Sequence, residues 1–320
     1  MVRRNAFLQN FKSKIVITMF CFISSTALFN HNIISQTKSK QKNNSEIIDQ
    51  DQKELEKAKK LKVKDRTKFA AFYDNKGVLP AKKSLVEKII FDKAGNKKEQ
   101  IRYTGLGQIE VKYIYQYNAK GNLTSLKNTD KNGSVVSKRT SKFDKKGNEI
   151  ERLLFDNKHH DANKAYFTYD NDNNLVETRN YSSKNELLND IILKYQDGFV
   201  VNAITKDGKG NVNEEIESIY NSSGKLIKEN RKSQGRVYEI DYQYDAKGNL
   251  IEVTNPQYQR FFTYNINNDL AEDKLFEANG PRQFKVRFTY LPNGLQKEEI
   301  RYNNDDKPVF YGQYKYEYYK

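Results

Sequence analysis

The chain is 320 residues long, carries a formal net charge of +15, and contains one cysteine and three histidines. A single cysteine excludes a disulfide framework, and so few thiols and imidazoles exclude a zinc site built from four spaced Cys and His ligands. They also leave no convincing Ser-His-acid or Cys-His set. We therefore predict no catalytic residues, no cofactor and no metal, and hence a protein that is not an enzyme.

The first 35 residues are predicted to be a secretory signal peptide. Four basic residues precede an apolar run at residues 15–29, and small and polar residues follow it. The run is shorter than the roughly 20 residues that span a bilayer as a helix. We expect cleavage at Ala27 or Ser35, with a retained N-terminal anchor as the alternative. The protein is therefore expected to be exported, whether to the periplasm, the cell surface or the medium.

Residues 36–66 are predicted to form a charged linker that is partly helical. The segment is rich in Lys, Gln, Asn and Glu, and its helical stretch is expected at residues 46–61. Beyond the linker one repeat pattern continues without a break long enough for a second core. We therefore divide the chain into a signal peptide (1–35), a linker (36–66) and one repeat domain (67–320).

From residue 91 to residue 195 the chain repeats in two alternating steps. A turn signature recurs, and a shorter gap between successive signatures alternates strictly with a slightly longer one. The signatures begin at Phe91, Tyr103, Tyr117, Thr129, Phe143, Phe155, Tyr169, Tyr181 and Tyr195. Each repeat is one supersecondary unit that cannot bury its apolar face alone, so the pattern predicts a stacked repeat architecture.

The signature itself predicts a specific turn. It reads aromatic, Asp or Asn, two variable residues, Gly, then a small polar and an apolar residue, as in residues 244–250. Asp or Asn suits the first turn position, because its side chain bonds the backbone two residues on. Gly is expected to have positive φ and to close the hairpin as a bulge.

Where Gly is missing from the signature, the residue present is one that tolerates a left-handed backbone. These replacements are Asn173, Asn185, Asn268, Asp306 and His159. His159 therefore has a structural explanation, which argues against a metal site at the pair His159 and His160.

Between the turns the chain alternates with a period of two. Val111, Tyr113 and Tyr115 point one way, while Glu110 and Lys112 point the other. This alternation, rich in β-branched and aromatic residues, is typical of half-buried antiparallel strands. We predict an all-β meander with about eighteen hairpin turns and roughly nineteen strands. A sheet about 85 Å across should twist and curl, so we expect an open spiral or trough.

This signature resembles that of the YD-repeat family, which includes the Rhs-type bacterial proteins. Its fullest copy is Tyr-Asp-x-x-Gly-Asn-Leu at residues 244–250, and the resemblance covers roughly residues 73–320. Variants stand at Tyr73, Phe91, Tyr117, Phe143, Tyr169 and Tyr220. The resemblance implies a bacterial, usually exported, spiral of β-strands, which in large members forms a shell around a toxin domain. We expect no such shell here, because the repeats are too few and no Asp-Pro-x-Gly self-cleavage segment is present.

The basic charge has two interpretations. It favours binding to nucleic acid or to an anionic surface. However, the lysines stand at exposed turn positions such as Lys120 and Lys247, and lysine on strands discourages edge-to-edge aggregation. No compact run of arginines occurs, so we predict no nucleic-acid partner, while peripheral association with anionic surfaces stays open.

Twenty-two tyrosines are the remaining functional signal. A tyrosine ring offers an apolar face and a polar tip, which suit sugar stacking or peptide binding. Anchor residues such as Tyr117, Tyr169 and Tyr244 are expected in the core instead, through cross-strand pairs. The aromatic residues outside the signature are the candidate ligand-binding residues: Tyr258, Phe261, Phe262, Tyr311 and Tyr319.

The sequence thus favours an exported, non-catalytic scaffold or binding protein of the bacterial envelope. Its ligand would be a polysaccharide or a protein, held by a curved, tyrosine-rich sheet. One alternative is a Rhs-like component of an interbacterial toxin or secretion system, by family analogy alone. Another is an enzyme that acts on envelope glycans, which would need paired carboxylates at a defined separation in a cleft.

Overall fold

The computed structural model describes residues 50–158 and 161–320. The predicted signal peptide, residues 36–49 of the predicted linker, and the pair His159 and His160 lie outside the described residues. One helix, α1 (Gln50–Lys60), falls within the helical stretch expected at residues 46–61. It contains no Gly, Pro or β-branched residue, and lysines in its last turn complement the helix dipole. No helix in the described ranges is long and apolar enough to cross a membrane.

Twenty β-strands follow α1 in the described part of the chain, and the first begins ahead of the domain start expected at residue 67. In chain order they are β1 (Val63–Phe72), β2 (Ser84–Phe91), β3 (Lys97–Tyr103), β4 (Ile109–Tyr117), β5 (Leu123–Asp130), β6 (Val135–Phe143), β7 (Glu149–Asp156), β8 (Asp161–Tyr169), β9 (Leu175–Tyr181), β10 (Leu187–Gln196), β11 (Phe199–Asp207), β12 (Val212–Tyr220), β13 (Leu226–Ser233), β14 (Arg236–Tyr244), β15 (Leu250–Thr254), β16 (Tyr258–Tyr264), β17 (Leu270–Glu277), β18 (Arg282–Tyr290), β19 (Gln296–Tyr302) and β20 (Pro308–Tyr318).

The strands form one antiparallel sheet that closes on itself. Each strand pairs with the next along the chain, and β20 pairs with β1 from Val63↔Tyr318 to Phe72↔Phe310. The all-β hairpin meander is confirmed, but the expectation of an open spiral or trough was wrong. Sheet twist brings the first and last strands together, and their pairing removes the two unpaired edges that an open sheet would expose.

The turn mechanism is confirmed at Gly248 and at the described replacements of Gly, whereas in the β17–β18 connection Asn279 rather than Gly280 has positive φ. Gly248 has φ +85°, and Asn173, Asn268 and Asp306 have φ +73°, +71° and +60°. Asp245 Oδ1 accepts hydrogen bonds from the backbone N–H groups of Lys247 (2.9 Å) and Asn249 (2.8 Å). The Asn249 side-chain amide donates to Asp245 Oδ2 at 2.9 Å. This returning bond explains why Asn so often follows Gly in the signature.

Two connections in the described part of the chain are two-residue turns, which are shorter than the turn of the signature. β10 joins β11 through Asp197 and Gly198, and β13 joins β14 through Gln234 and Gly235; all four residues have positive φ. Positive φ at both central residues defines a two-residue type I′ hairpin. These short turns account for part of the irregular spacing of the signatures after residue 195.

The two faces of the sheet differ in burial. The core face carries two apolar clusters, one on β8–β11 around Phe167 and Leu193, the other on β13–β16 around Tyr242 and Phe262. A third cluster joins α1 to the sheet through Ala58, Ile89, Phe91 and Leu295. The opposite face carries most of the exposed lysines and glutamates of the strands.

The two ends of the barrel also differ. Connections that follow even-numbered strands lie at one end, the helix end, where α1 rests against three of them. Connections that follow odd-numbered strands lie at the other, the distal end. In an antiparallel meander this assignment follows from strand direction alone. The alternation of short and long gaps in the sequence therefore reflects the alternation of distal turns with helix-end turns.

Candidate functional site

Tyrosines at the helix end form a ladder of hydrogen bonds. In each even-numbered strand from β8 to β20, a tyrosine near the end of the strand donates its hydroxyl to a backbone carbonyl at the start of the preceding odd strand. Tyr244, for example, donates to Leu226 O at 2.8 Å. The same bond is made by Tyr169, Tyr195, Tyr220, Tyr264, Tyr290 and Tyr316. Since these hydroxyls bond the backbone, the ladder is structural, as expected for the anchors.

Neighbouring turns at the helix end also bond each other through side chains. Asn148 and Asn173 exchange two amide hydrogen bonds of 2.6 and 3.1 Å between the β6–β7 and β8–β9 connections. Lys225 Nζ donates to Gly248 O at 2.8 Å. The residue after Gly or its replacement can therefore link adjacent repeats, and these bonds form a polar layer over part of the helix end.

Helix α1 packs on this layer. Lys57 Nζ contacts Asp269 Oδ1 at 2.5 Å and donates to Gly294 O at 2.8 Å, so the helix bridges the β16–β17 and β18–β19 connections. Glu54 is buried beside it, and its Oε2 accepts a bond from the Gln296 N–H at 3.3 Å. Burial raises the pKa of the Glu54 carboxyl, against the opposing effects of that bond and of Lys57.

Charged side chains on the core face cross the seam where β20 meets β1. Glu299 Oε1 accepts bonds from Lys68 (3.1 Å) and Arg301 (3.0 Å), and Oε2 accepts the Tyr314 hydroxyl at 2.8 Å. Burial alone would raise the pKa of Glu299, but Lys68, Arg301 and the Tyr314 bond hold it below its ordinary value. Gly312 makes room for the cluster, because a Cβ there would lie 2.8 Å from Glu299 Cγ.

A second acid continues the seam network. Glu87 accepts bonds from Arg66 (3.1 Å) and from the Gln100 amide (2.7 Å). The Arg66 guanidinium lies 5.4 Å from the centre of the Tyr314 ring, which joins the two parts. Side chains of β3, β2, β1, β20 and β19 thus form one network across the seam. Side chains as well as backbone bonds therefore hold the barrel closed.

Other buried ion pairs on the core face follow the same plan. Arg231 donates to Glu229 at 2.8 and 3.0 Å, and the Tyr242 hydroxyl donates to the same carboxylate at 3.0 Å. Burial beside Glu229 raises the pKa of Tyr242. Within residues 50–158 and 161–320, no group of three or more His, Cys, Asp or Glu is placed to hold a metal ion. These networks join neighbouring strands across the core face.

The structure separates three of the five predicted ligand-binding residues between the two faces. Phe262 is buried in the β13–β16 cluster, and Tyr258 packs partly buried against the same cluster. Phe261 lies on the opposite face, with its ring edge-to-face with Phe276 at a centroid distance of 5.7 Å. Of these three, Phe261 has the orientation that a ligand on the outer surface requires.

The other two predicted residues belong to the seam. Tyr311 is buried on β20, and its hydroxyl donates to Glu298 Oε1 at 2.7 Å. Tyr319 follows β20, and its hydroxyl donates to Phe91 O at 2.7 Å. Four strand spacings separate β16 from β20, about 19 Å along the sheet. The five residues therefore do not form one cluster, and their role in binding stays a prediction.

A further aromatic pair was not predicted from the sequence. Tyr166 is 40% exposed on the face opposite the core, and its ring lies edge-to-face with Tyr181 at 5.8 Å. The alternation of side chains along a strand could have identified it. Phe167 lies on the core face, so the preceding residue Tyr166 must point to the opposite face. Tyr166–Tyr181 on β8–β9 and Phe261–Phe276 on β16–β17 are separate surface aromatic pairs, about 38 Å apart along the sheet, and each is a candidate binding surface.

The sequence of one section of the barrel matches a known repeat. Residues 220–260, from the end of β12 into β16, match the family model described as RHS Repeat. The resemblance noted from the turn signature is confirmed over this segment. No curated protein matches the chain.

Two solved structures similar to this chain have low sequence identity to it. The structure of TcdB2-TccC3 without its hypervariable C-terminal region is 11% identical over 71% of this chain, with a TM-score of 0.31, and this chain covers 14% of that chain. A porin-like protein from Bacteroides uniformis ATCC 8492 is 9% identical over 80% of this chain and 98% of that chain, with a TM-score of 0.35. Similarities this weak support no inference about function.

Proposed function

We propose that the protein is an exported, non-catalytic β-repeat scaffold or binding protein of the bacterial envelope. Its ligand is a polysaccharide or a protein, and it binds at one or both of the surface aromatic pairs on the face opposite the core. The proposal rests on the RHS repeat match for the class of protein and on the surface aromatic pairs for the binding surface.

The surface aromatic pairs are the observation that carries the binding proposal. Turn aspartates such as Asp245 are engaged in their own turns, and ladder tyrosines such as Tyr244 bond the backbone. The rings of Tyr166 and Phe261 instead pack against an aromatic neighbour on the surface. Flat, partly exposed rings held by a neighbour suit stacking on sugar rings or on side chains of a protein partner.

A binding screen with matched variants tests the proposal. The full chain is screened against glycan arrays and cell-wall fractions, and binding is remeasured for Tyr166→Ser and Phe261→Ser. The control is Ile219→Ser, because Ile219 is exposed on the same face but is not aromatic. We expect at least one aromatic variant to lose tenfold in affinity while the control keeps it. Equal affinity in all three variants would exclude this surface.

A second candidate is a Rhs-like component associated with an interbacterial toxin or secretion system. The match of residues 220–260 to the RHS repeat model favours it. A polymorphic toxin or its immunity partner encoded beside this gene would support this function, and co-purification of that product with the full chain tests it. Failure of the two products to form a complex would count against it.

A further inference from the structure

Exposed apolar side chains are concentrated at the distal end of the barrel. One group lies beside the seam: Phe72, Val78, Leu106, Ile109 and Val309, the distal patch. Leu106 is 89% exposed, Phe72 63% and Val78 58%. They come from β20, β1, the β1–β2 connection, the β3–β4 turn and β4, which are neighbours over about 19 Å of sheet. Single exposed apolar residues are ordinary, but several at the ends of neighbouring strands indicate an interaction site.

Ordered turns present the two most prominent residues of this patch. Asp74 makes two hydrogen bonds with the backbone of Val78. Its Oδ1 accepts the Val78 N–H at 2.8 Å, and its own N–H donates to Val78 O at 3.0 Å. Leu106 stands in the β3–β4 turn, which closes through a 2.9 Å bond from the Gly107 N–H to Thr104 O. Ser84 Oγ donates to Gly105 O at 3.4 Å and links the two connections.

Positive charge lies on the β1–β2 connection beside the patch, whereas Glu110 next to Ile109 lies 3.9 Å from Arg102 and Asp305 is exposed in the β19–β20 turn. The β1–β2 connection, residues 73–83, contains Lys76, Lys82 and Lys83 and one acid, Asp74, for a net charge of +2. Lys76 and Lys82 are exposed. In the neighbouring β19–β20 turn, Asp306 is paired with Arg282 at 3.0 Å and with Lys285. The exposed apolar side chain of Val78 beside Lys76 and Lys82 matches a surface with negative headgroups above an apolar layer.

We propose that the distal patch docks the barrel on the surface of an anionic lipid bilayer. Val78 and Leu106 enter the interface between headgroups and acyl chains, while Lys76 and Lys82 contact the headgroups. The barrel then stands with its helix end away from the membrane and its aromatic pairs free along the side. This inference does not depend on the identity of the ligand under the proposed function.

The helix end supplies a matched control for the apolar contact. Ile266 stands at the tip of the β16–β17 turn and is 89% exposed, as Leu106 is. Loss of an exposed aliphatic side chain at either position changes the surface equally, but only Leu106 would face the bilayer. Lys93 and Lys120, exposed in helix-end turns, are the corresponding controls for Lys76 and Lys82.

Vesicle flotation tests the docking. The full chain is mixed with vesicles of phosphatidylcholine alone or of phosphatidylcholine mixed with phosphatidylglycerol, at low and at high salt. We expect flotation with the anionic vesicles and little with the neutral ones. Leu106→Asp should reduce bound protein at least fivefold and Lys76→Glu/Lys82→Glu at least threefold, while Ile266→Asp and Lys93→Glu/Lys120→Glu leave it within twofold. Circular dichroism of each variant should match that of the parent.

Three outcomes would overturn the proposal. The first is no flotation of the folded parent with either vesicle. The second is an equal loss of bound protein from Leu106→Asp and Ile266→Asp, which would mean that the distal end is not the membrane-binding end. The third is loss in the lysine variants but none in Leu106→Asp. That pattern would indicate a purely electrostatic association, which a soluble anionic polysaccharide would also support.

Discussion

The helix end and the distal end use the same turn but serve different purposes. Gly121 at the helix end and Gly107 at the distal end both have φ +77° and both close hairpins of the same form. The apolar residue that ends the signature is buried at some helix-end turns, as Leu175, Leu226 and Leu250 are, and exposed at some distal turns, as Ile109 and Val212 are. The same turn motif can therefore be followed by a buried or by an exposed apolar residue.

The largest expected difference between the ends concerns the residues that flank the turns. Leu250 is 2% exposed, so Leu250→Ala should lower the free energy of unfolding by about 2–5 kcal/mol. Val212 occupies the same position of a distal turn and is 57% exposed. Val212→Ala should therefore cost less than about 0.5 kcal/mol. Urea unfolding of both variants gives the two free energies. Similar losses at the two sites would contradict the assignment of a buried position at Leu250 and an exposed one at Val212.

Turn glycines should, in contrast, show no difference between the ends. A Cβ added at Gly121 or at Gly107 meets no atom within 4 Å, so the cost of substitution is backbone strain alone. Gly→Val at either position should destabilise by about 1–3 kcal/mol, and Gly→Asn by much less, because Asn tolerates positive φ. Unfolding free energies of the four variants are compared. A large loss of stability for Gly→Asn would show that backbone strain at positive φ is not the source of the cost.

The tyrosine ladder should distinguish the ends again, by a smaller amount. Tyr244→Phe removes the bond to Leu226 O and keeps the ring, so we expect a loss of about 1 kcal/mol. Tyr103→Phe is the matched distal change; it removes no ladder bond and should alter stability by less than about 0.3 kcal/mol. Thermal unfolding of both variants provides the comparison. Equal effects would show that the ladder bond of Tyr244 does not stabilise the helix end.

The smallest expected effect is a pH dependence at α1. Burial holds the pKa of Glu54 above its ordinary value of 4.5, so the folded protein binds this proton more tightly than the unfolded chain does. The resulting loss of stability is absent below pH 4.5, grows as pH rises through the folded pKa, and is constant above it. Glu54→Gln keeps the acceptor for the Gln296 N–H and should raise the melting temperature at pH 7 but not at pH 4. A raised melting temperature at both pH values would assign the effect to packing instead.

The fold was largely predictable because the turn chemistry is local. Asp245, Gly248 and Asn249 are close neighbours in sequence, and their pattern predicts the hairpin without knowledge of the rest of the chain. Closure was not predictable, because the pairing of β1 with β20 depends on the accumulated twist of the whole sheet, and on contacts such as Lys68 with Glu299 between residues far apart in sequence.

The candidate site was predicted less well than the fold. Phe262 and Tyr311 stand outside the repeat signature, yet both are buried. Phe262 lies on the core face, whereas Tyr311 lies on the opposite face with Lys83 of the β1–β2 connection over its ring. Strand parity would have separated Phe261 from Phe262 and would have identified Tyr166. The exposure of Ile109 was not predictable, since Ile109 takes the same position of the signature as the buried Leu250.

Cross-linking of β1 to β20 tests the closed barrel most directly. Thr67 faces Lys315 across the seam and Lys88 within the ordinary β1–β2 hairpin. Directly opposed residues have Cα atoms roughly 4.5–5.5 Å apart, within disulfide reach. With Cys21 replaced by Ser, the variants Thr67→Cys/Lys315→Cys and Thr67→Cys/Lys88→Cys are oxidised as dilute monomers and analysed by mass spectrometry. The closed barrel predicts an intramolecular disulfide in both; a disulfide in the hairpin pair alone would show that the sheet is open.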